Sequence, residues 1–256
     1  MKKPFFSSAI VRTPSSSMVN GITTADLGRP DYQLALVQHQ AYIDALEFIG
    51  LNVTVLPAAE EFPDACFVED VAVLTNEFAI ICNPGADSRR GEKDLILSAL
   101  TPSYKTIHHI DQGYIDGGDV MMVGNHFYVG LSERTNKAGF DQFADLLALH
   151  QCTASAVAMQ DMLHLKTGLS YLEDGNLLCY GEFNKEHQFD NFNRLPVNES
   201  EAYAANSVWV NDTVLVPTGN PNLQAKVGEL GYKTVALEMS EFRKLDGGLS
   251  CLSLRF

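Results

Sequence analysis

One of the five cysteines stands in a setting that suits a nucleophile. Cys251 closes the segment Asp246-Gly-Gly-Leu-Ser-Cys251 and opens a run read as a strand, within reach of a ligand. The double glycine before it lets backbone approach closely or take a positive φ. Taken alone, Cys251 also fits the common fate of a free cysteine, a small hydrophobe in the core. Cys82 and Cys179 lie inside apolar, strand-like runs, and Cys152 follows a helical segment. Cys66 sits beside an acidic cluster, which opposes thiolate formation. In that cluster, Asp64-Ala-Cys-Phe-Val-Glu69-Asp70, two adjacent carboxylates open an otherwise apolar run with no basic residue close in sequence. Ionised carboxylates are costly to bury unless paired. A guanidinium ligand, with its donors in a planar fork, would pair with them; a solvated strand end is the plainer alternative.

Three further segments carry chemistry. Ile115-Asp116-Gly-Gly-Asp119 again sets acids around a double glycine just before a strand. Leu163-His164-Leu165-Lys166 holds the one histidine of seven that is enclosed by leucines ahead of a hairpin. Arg89, in Ser88-Arg89-Arg90-Gly-Glu, and Arg134, in Ser132-Glu-Arg134-Thr-Asn, each follow a hairpin and precede a helix, where an arginine can clamp a carboxylate. Tight turns with solvated acids, a structural histidine and surface arginines account for each of these taken singly.

The elements that must position these residues repeat along the chain. Residues 70–82, 119–130, 169–180 and 206–216 each read as two β-rich runs joined by a turn, at Asn76-Glu77, Gly124-Asn125, Asp174-Gly175 and Asn211-Asp212. A unit recurring every ~40–50 residues indicates a repeat or pseudosymmetric fold. Helical spacing spans 31–49, with Gly50 as a stop, 137–149 and 221–230. The runs 8–12 and 249–256 read as single strands that together complete a fifth unit and close a ring. The chemistry-bearing segments fall at matching edges of successive units, and in such a ring those edges converge on the axis.

Composition narrows the class. The 256 residues are 46% hydrophobic and 20% charged, enough apolar content for a large core and, without an evident linker, one domain over 1–256. A net charge of −14 argues against a nucleic-acid partner, which would require a basic face. The odd cysteine count without a CxxC pair argues against a disulfide scaffold or structural zinc. No 18-residue apolar run or secretory core is present, so the expectation is a cytoplasmic chain with no membrane span.

The motifs FPDACFVEDVAV, NPGADSRRGE, DGGDVMMVG, VGLSERTN, LHLKTGLSYLE and RKLDGGLSCLSLRF occur in order along almost the full chain. In them the sequence resembles the dimethylarginine dimethylaminohydrolases of the guanidino-group-modifying superfamily. The resemblance implies an α/β fold, the five-bladed α/β propeller (pentein), with pseudo-fivefold ββαβ modules and N- and C-terminal strands closing the ring. It implies hydrolysis of asymmetric dimethylarginine or monomethylarginine to citrulline and dimethylamine or methylamine, through an S-alkylthiouronium on Cys251, with no cofactor and no metal. By position, Cys251 matches the nucleophile, His164 the general acid and base, and Asp116 the acid that orients it. Glu69 and Asp70 match the guanidinium-holding carboxylates, and Arg89 and Arg134 the clamps on the α-carboxylate. Asp64 matches a substrate-binding aspartate, and Ile22 a lid position whose backbone meets the substrate amine. Phe67 and Leu245 belong to the pocket wall. Deiminases and amidinotransferases of the superfamily follow the histidine with an acid, as HxD; here Lys166 stands there. An enzyme of the same scaffold acting on free arginine, or on agmatine, remains open, although two carboxylate clamps favour an α-amino acid. A non-catalytic binding protein on this scaffold would have no reason to keep Cys251, His164, Asp116 and Asp70 together. The order His164 before Cys251 speaks against a papain-like protease. Zinc could bind Cys251 with His164 and inhibit. Either a monomer or a homodimer is compatible.

Overall fold

Asn211 and Asp212 both take a left-handed backbone, with φ of 46° and 67°, as do Glu173, Asp174 and Gly175. Positive φ at successive turn residues matches the right-handed twist of a hairpin, so two of the expected turns are built into the backbone. In this computed structural model, which describes residues 5–256, the hairpins head five three-stranded sheets. Blade two contains Ala72–Leu74, Ala79–Ile81 and Ile107–His109. Blade three contains Val120–Val123, His126–Leu131 and Thr153–Ala158. Blade four contains Leu169–Tyr171, Asn176–Cys179 and Asn193–Pro196. Blade five contains Val208–Val210, Thr213–Pro217 and Lys233–Leu237. In each, the middle strand pairs antiparallel with the first and parallel with the third. Blade one repeats the pattern across the chain ends: Ser8–Arg12 pairs antiparallel with Leu254–Arg255 and parallel with Asn52–Leu56. The expected closure of the ring is thus observed.

Parallel pairing requires a crossover. Helices Tyr32–Ile49, Glu92–Leu100, Lys137–Ala148 and Pro221–Glu229 supply it in four blades. Blade four departs from the ββαβ expectation and crosses over through the short 3-10 turns Gly181–Lys185 and His187–Phe189. The first helix is well delimited. Asp31 accepts from the Gln33 and Leu34 amides, and Gly50, at φ 107°, ends it.

The core lies between blades. Val68, Ile81 and Leu254 join blades one and two, Ile80 and Phe127 join two and three, and Val157 and Leu177 join three and four. Leu178 and Val214 join four and five, and Val11 and Leu215 join five and one. Strands covered on both sides explain the near-continuous apolar runs of the sequence.

First strands lie against one another between blades one and two, three and four, and four and five, and the turns that enter the first strands also pack together. Those turns are short helical segments rather than the strand starts expected from sequence. They include Val68–Val71, Gly117–Asp119, Leu165–Gly168 and Ser250–Leu252. The run 249–256 is therefore a strand only at Leu254–Arg255. Before that, Cys251 N–H bonds to Gly248 O at 3.3 Å and curls the backbone. Among the described residues, no helix is long and apolar enough to cross a membrane.

Candidate active site

The entering turns bring the chemistry-bearing residues together at one end of the axis. His164 Nε2 donates to Asp116 Oδ2 at 3.0 Å, and the Gly85 amide donates to Asp116 Oδ1 at 2.8 Å, so the fully buried acid fixes the ring. Burial pulls the His164 pKa down, but the carboxylates of Asp70, Asp119 and Asp116 prevail and raise it to about 9. The imidazole is therefore protonated at neutral pH. Cys251 is half-buried, and the Gly248 amide points at its sulfur at 3.4 Å. Burial, followed by the charges of Glu69 and Asp70, pushes the thiol up to about 12. In the resting site it is a neutral thiol.

The two adjacent acids do not project alike. Asp70 accepts from Arg89 Nη1 at 2.5 Å and from the Gly118 amide at 3.0 Å. Burial opposes its charge, but Arg89, His164 and these bonds outweigh that and hold its carboxyl below the ordinary value. Glu69 is buried between Lys166, at 2.5 Å, and the Ser250 hydroxyl, at 2.7 Å. The Lys166–Glu69 pair separates the site from a second cavity of about 160 Å³ farther along the axis, which both residues also line. Lys166, which in sequence only marked a missing acid, thus has a definite place.

The arginines also differ. Arg89 is buried and bonds Asp70, Glu92 and the carbonyls of Asp64 and Phe67. Its donors hold the acid-bearing turn in place. The Arg134 guanidinium forms no hydrogen bond or ion pair among the described residues. It lines a small cavity of about 50 Å³ together with Ile22, Asp64, Phe67, Leu245 and Cys251. Asp64 Oδ1 accepts the Ile22 amide at 3.0 Å, so Ile22 has only its carbonyl left for a ligand. Burial raises the Asp64 pKa despite Arg89. Phe67 and Leu245 are buried walls of this cavity.

Four contributors had no role assigned from sequence. Asp119, the second acid of Asp-Gly-Gly-Asp, is fully buried and accepts from Ser132, Thr135 and the Leu165 amide. Asp246 accepts the Thr24 amide at 2.6 Å and so ties the segment after Ile22 across the site. Asn206 accepts the Ser250 amide at 2.9 Å and donates to Lys166 O at 2.9 Å, bracing the turn that carries Cys251. Glu92 neutralises Arg89. The acids flanking the double glycines were a visible signal for Asp119 and Asp246; nothing local marked Asn206. Asp70, Asp116 and His164 bring one ligand atom each within 4.8 Å of one another, a set that could hold a cation.

Comparison with known proteins places this arrangement. The family model described as N,N dimethylarginine dimethylhydrolase, eukaryotic, matches residues 28–188. The chain is 47% identical over 253 residues to N(G),N(G)-dimethylarginine dimethylaminohydrolase of Pseudomonas aeruginosa, covering 98% of this chain and 100% of that one. Against the protein of the same name from Streptomyces coelicolor it is 33% identical over 250 residues, with 96% of each chain covered. A cysteine-to-serine mutant of the Pseudomonas aeruginosa protein, solved in complex with citrulline, superposes with a TM-score of 0.97 at 46% identity, covering 98% of this chain and 100% of that one. The N-terminal domain of a cyanobacterial arginine dihydrolase superposes at 0.86 with 20% identity, covering 97% of each chain, a likeness of fold. The chain has the pentein fold and belongs to the dimethylarginine dimethylaminohydrolase family.

Proposed function

We propose that the protein hydrolyses asymmetric dimethylarginine and monomethylarginine to citrulline plus dimethylamine or methylamine. The observation that carries the reading is a neutral thiol and a charged imidazole lining one cavity. Burial, followed by the charges of Glu69 and Asp70, raises the pKa of Cys251 to about 12, and the cysteine faces the same cavity as a histidine raised to about 9. A cationic guanidinium bound beside Asp70 offsets the negative field that keeps the thiol protonated, so the nucleophile is activated by the substrate itself. Arg134 takes the α-carboxylate. Asp64 and the Ile22 carbonyl take the α-amine, and Phe67 and Leu245 enclose the aliphatic stem. Arg89 and Glu69 contribute through Asp70 and the turn that bears it.

The thiol proton leaves to solvent and the thiolate sulfur bonds to the guanidinium carbon. His164, charged and held by Asp116, gives its proton to the substituted nitrogen as the C–N bond breaks and the amine departs. The S-alkylthiouronium remains. Neutral His164 takes a proton from water, whose oxygen adds to the same carbon. The C–S bond then breaks and the added oxygen gives its remaining proton to solvent, releasing citrulline and the thiolate. We read 1–256 as one catalytic domain and place it in the cytoplasm, a reading supported by its five unpaired cysteines.

The test is to incubate the protein with asymmetric dimethylarginine and measure citrulline, then repeat with Cys251→Ser. Turnover is expected only with the cysteine. Citrulline formed at the original rate by the serine variant would sink the nucleophile assignment.

A further inference from the structure

Cys251 and His164 stand between two cavities of different size. The small one, about 50 Å³, holds Ile22, Asp64, Arg134 and Leu245. The second, about 470 Å³, is walled by Met162, Thr167, Tyr180, Ala202 and Tyr203, and none of these five lines the small cavity. The reading above seats the α-amino acid end of the substrate in the small cavity, against Arg134 and Asp64. The guanidinium carbon then lies at Cys251, and the substituted nitrogen faces the larger space. Two methyl groups, each near the ~30 Å³ that a water molecule occupies in the liquid, fill only a minor part of it. Most of the surface these walls present is apolar, with Asp26, Asp161, Lys166 and Arg243 also lining the space, and a mainly apolar lining with a few polar groups is typical of sites for small organic groups.

The bond broken and the proton given by His164 are the same whatever carbon the nitrogen carries. We infer that the site cleaves Nω-substituted arginines whose substituent is a larger neutral alkyl or arylmethyl group, such as propyl or benzyl. The products are citrulline and the corresponding primary amine. The inference rests on the proposed function and extends it from methylated arginine to a class of N-alkylated arginines. Sulfur bonds to the guanidinium carbon, and the C–N bond to the substituted nitrogen breaks. That nitrogen takes the His164 proton, and a water oxygen then replaces the sulfur. No other reactant is consumed.

The decisive residue for a test is Ala202, half-buried in the turn Glu199–Ala205 and lining only the larger of these two cavities. No step above is assigned to it. Nω-propyl- and Nω-benzyl-L-arginine are compared with asymmetric dimethylarginine on the whole protein, reading citrulline and amine. The expected kcat/KM for both is within about tenfold of that for the dimethyl substrate, a gap no larger than roughly one methylene mismatch in an apolar pocket. Ala202→Phe fills the space. It is expected to lower benzyl turnover at least ~10-fold while dimethyl turnover stays within about twofold, because overfilled pockets discriminate by size. Ala202→Leu gives the same ordering should the phenylalanine not fold. Dimethylarginine cleaved while the benzyl substrate falls below about a hundredth of its rate would overturn the inference and leave the proposed function standing. An equal fall on all substrates in both variants would likewise overturn it. No cleavage of any substrate by the unmodified protein would be a failure of the proposed function itself.

Discussion

Two segments of this chain read alike and are built for different work. Asp116-Gly-Gly-Asp119 enters blade three, and Asp246-Gly-Gly leads to Cys251 at the closure of blade one. A double glycine allows positive φ or close approach, and in both segments the glycines serve close approach. A Cβ on Gly117 would lie 2.0 Å from Glu69 O, and one on Gly118 would lie 2.7 Å from Asp70 Oδ1 and 3.0 Å from the His164 ring. A Cβ on Gly247 would lie 2.2 Å from the Phe67 ring, and one on Gly248 would lie 2.5 Å from the Asn206 amide group. The first segment is therefore pressed against charged groups of the site, and the second against the walls that hold it. The left-handed position in the second is not a glycine but Asp246, at φ 57°. Such strain in a non-glycine residue persists only where surrounding bonds hold it, and here the carboxylate binds the segment 23–24.

The largest effect that would separate the two segments comes from adding one methyl to each. Gly118→Ala drives Asp70 and His164 apart. A displacement of about 1 Å in reacting groups can cost on the order of 100-fold, and a fall of that size in kcat is expected. Gly247→Ala meets an aromatic ring instead, and overpacking costs about 1–3 kcal/mol. It should appear mainly as a lower Tm, by roughly 2–4 °C per kcal/mol for a chain of this size, with kcat changed far less. Equal losses of kcat in the two variants would erase the distinction.

A smaller effect tests the charge in the first segment. Asp119 has its pKa raised to about 6 by burial, and the hydroxyls of Ser132 and Thr135 partly relieve it. Its negative charge is one of those that raise His164 to about 9. Because the folded-state value of His164 lies above the ordinary 6.5, its charge stabilises the fold below that pH, and this contribution is lost as pH rises through about 9. Asp119→Asn removes one source of the shift. The alkaline limb of the kcat profile should move to lower pH by on the order of one unit. Near neutrality kcat should fall by about tenfold or less, because the acceptor for the Leu165 amide survives in asparagine. A pH profile superimposable on that of the unmodified protein would mean that Asp119 acts through its hydrogen bonds alone.

How far these roles could be read from sequence depends on how local their causes are. The hairpins were legible because turn chemistry is written in adjacent residues, as at Asn211-Asp212, and the ring followed from their repetition. The third strands were not, since Ile107–His109 is short and its register is set only by Ala79–Ile81 across a helix. The catalytic side chains were legible as anomalies, acids or a cysteine in apolar runs, and the family motifs gave them roles. Their partners were less so. Arg89 and Arg134 look equivalent in sequence, yet one is saturated by Glu92 and Asp70 while the other faces the cavity. The difference arises from a turn folding back on the acids, which no local pattern reports. Glu69, likewise, was grouped with Asp70 by adjacency. On a helical turn, neighbours point apart, so Glu69 faces Lys166 and Ser250 while Asp70 faces Arg89 and Gly118.

The smallest effect concerns the second segment. Asp246 holds the stretch that follows Ile22 through the Thr24 amide at 2.6 Å, the Thr24 hydroxyl at 3.1 Å and the Thr23 hydroxyl at 3.3 Å. Ile22 belongs to the small cavity, so this tie helps set the carbonyl offered to the substrate amine. Asp246→Gly removes the acceptor and at the same time relieves the left-handed backbone, since glycine takes positive φ at little cost. Hydrogen bonds of this kind contribute about 0.5–1.5 kcal/mol each, so KM should rise roughly 3- to 10-fold with kcat nearly unchanged, because no group at the reacting carbon moves. The Tm should not fall, because relief of strain offsets the lost bonds. A fall in kcat as deep as that of Gly118→Ala would show that the two glycine segments control the same step. An unchanged KM would show that Ile22 is held by Asp64 alone.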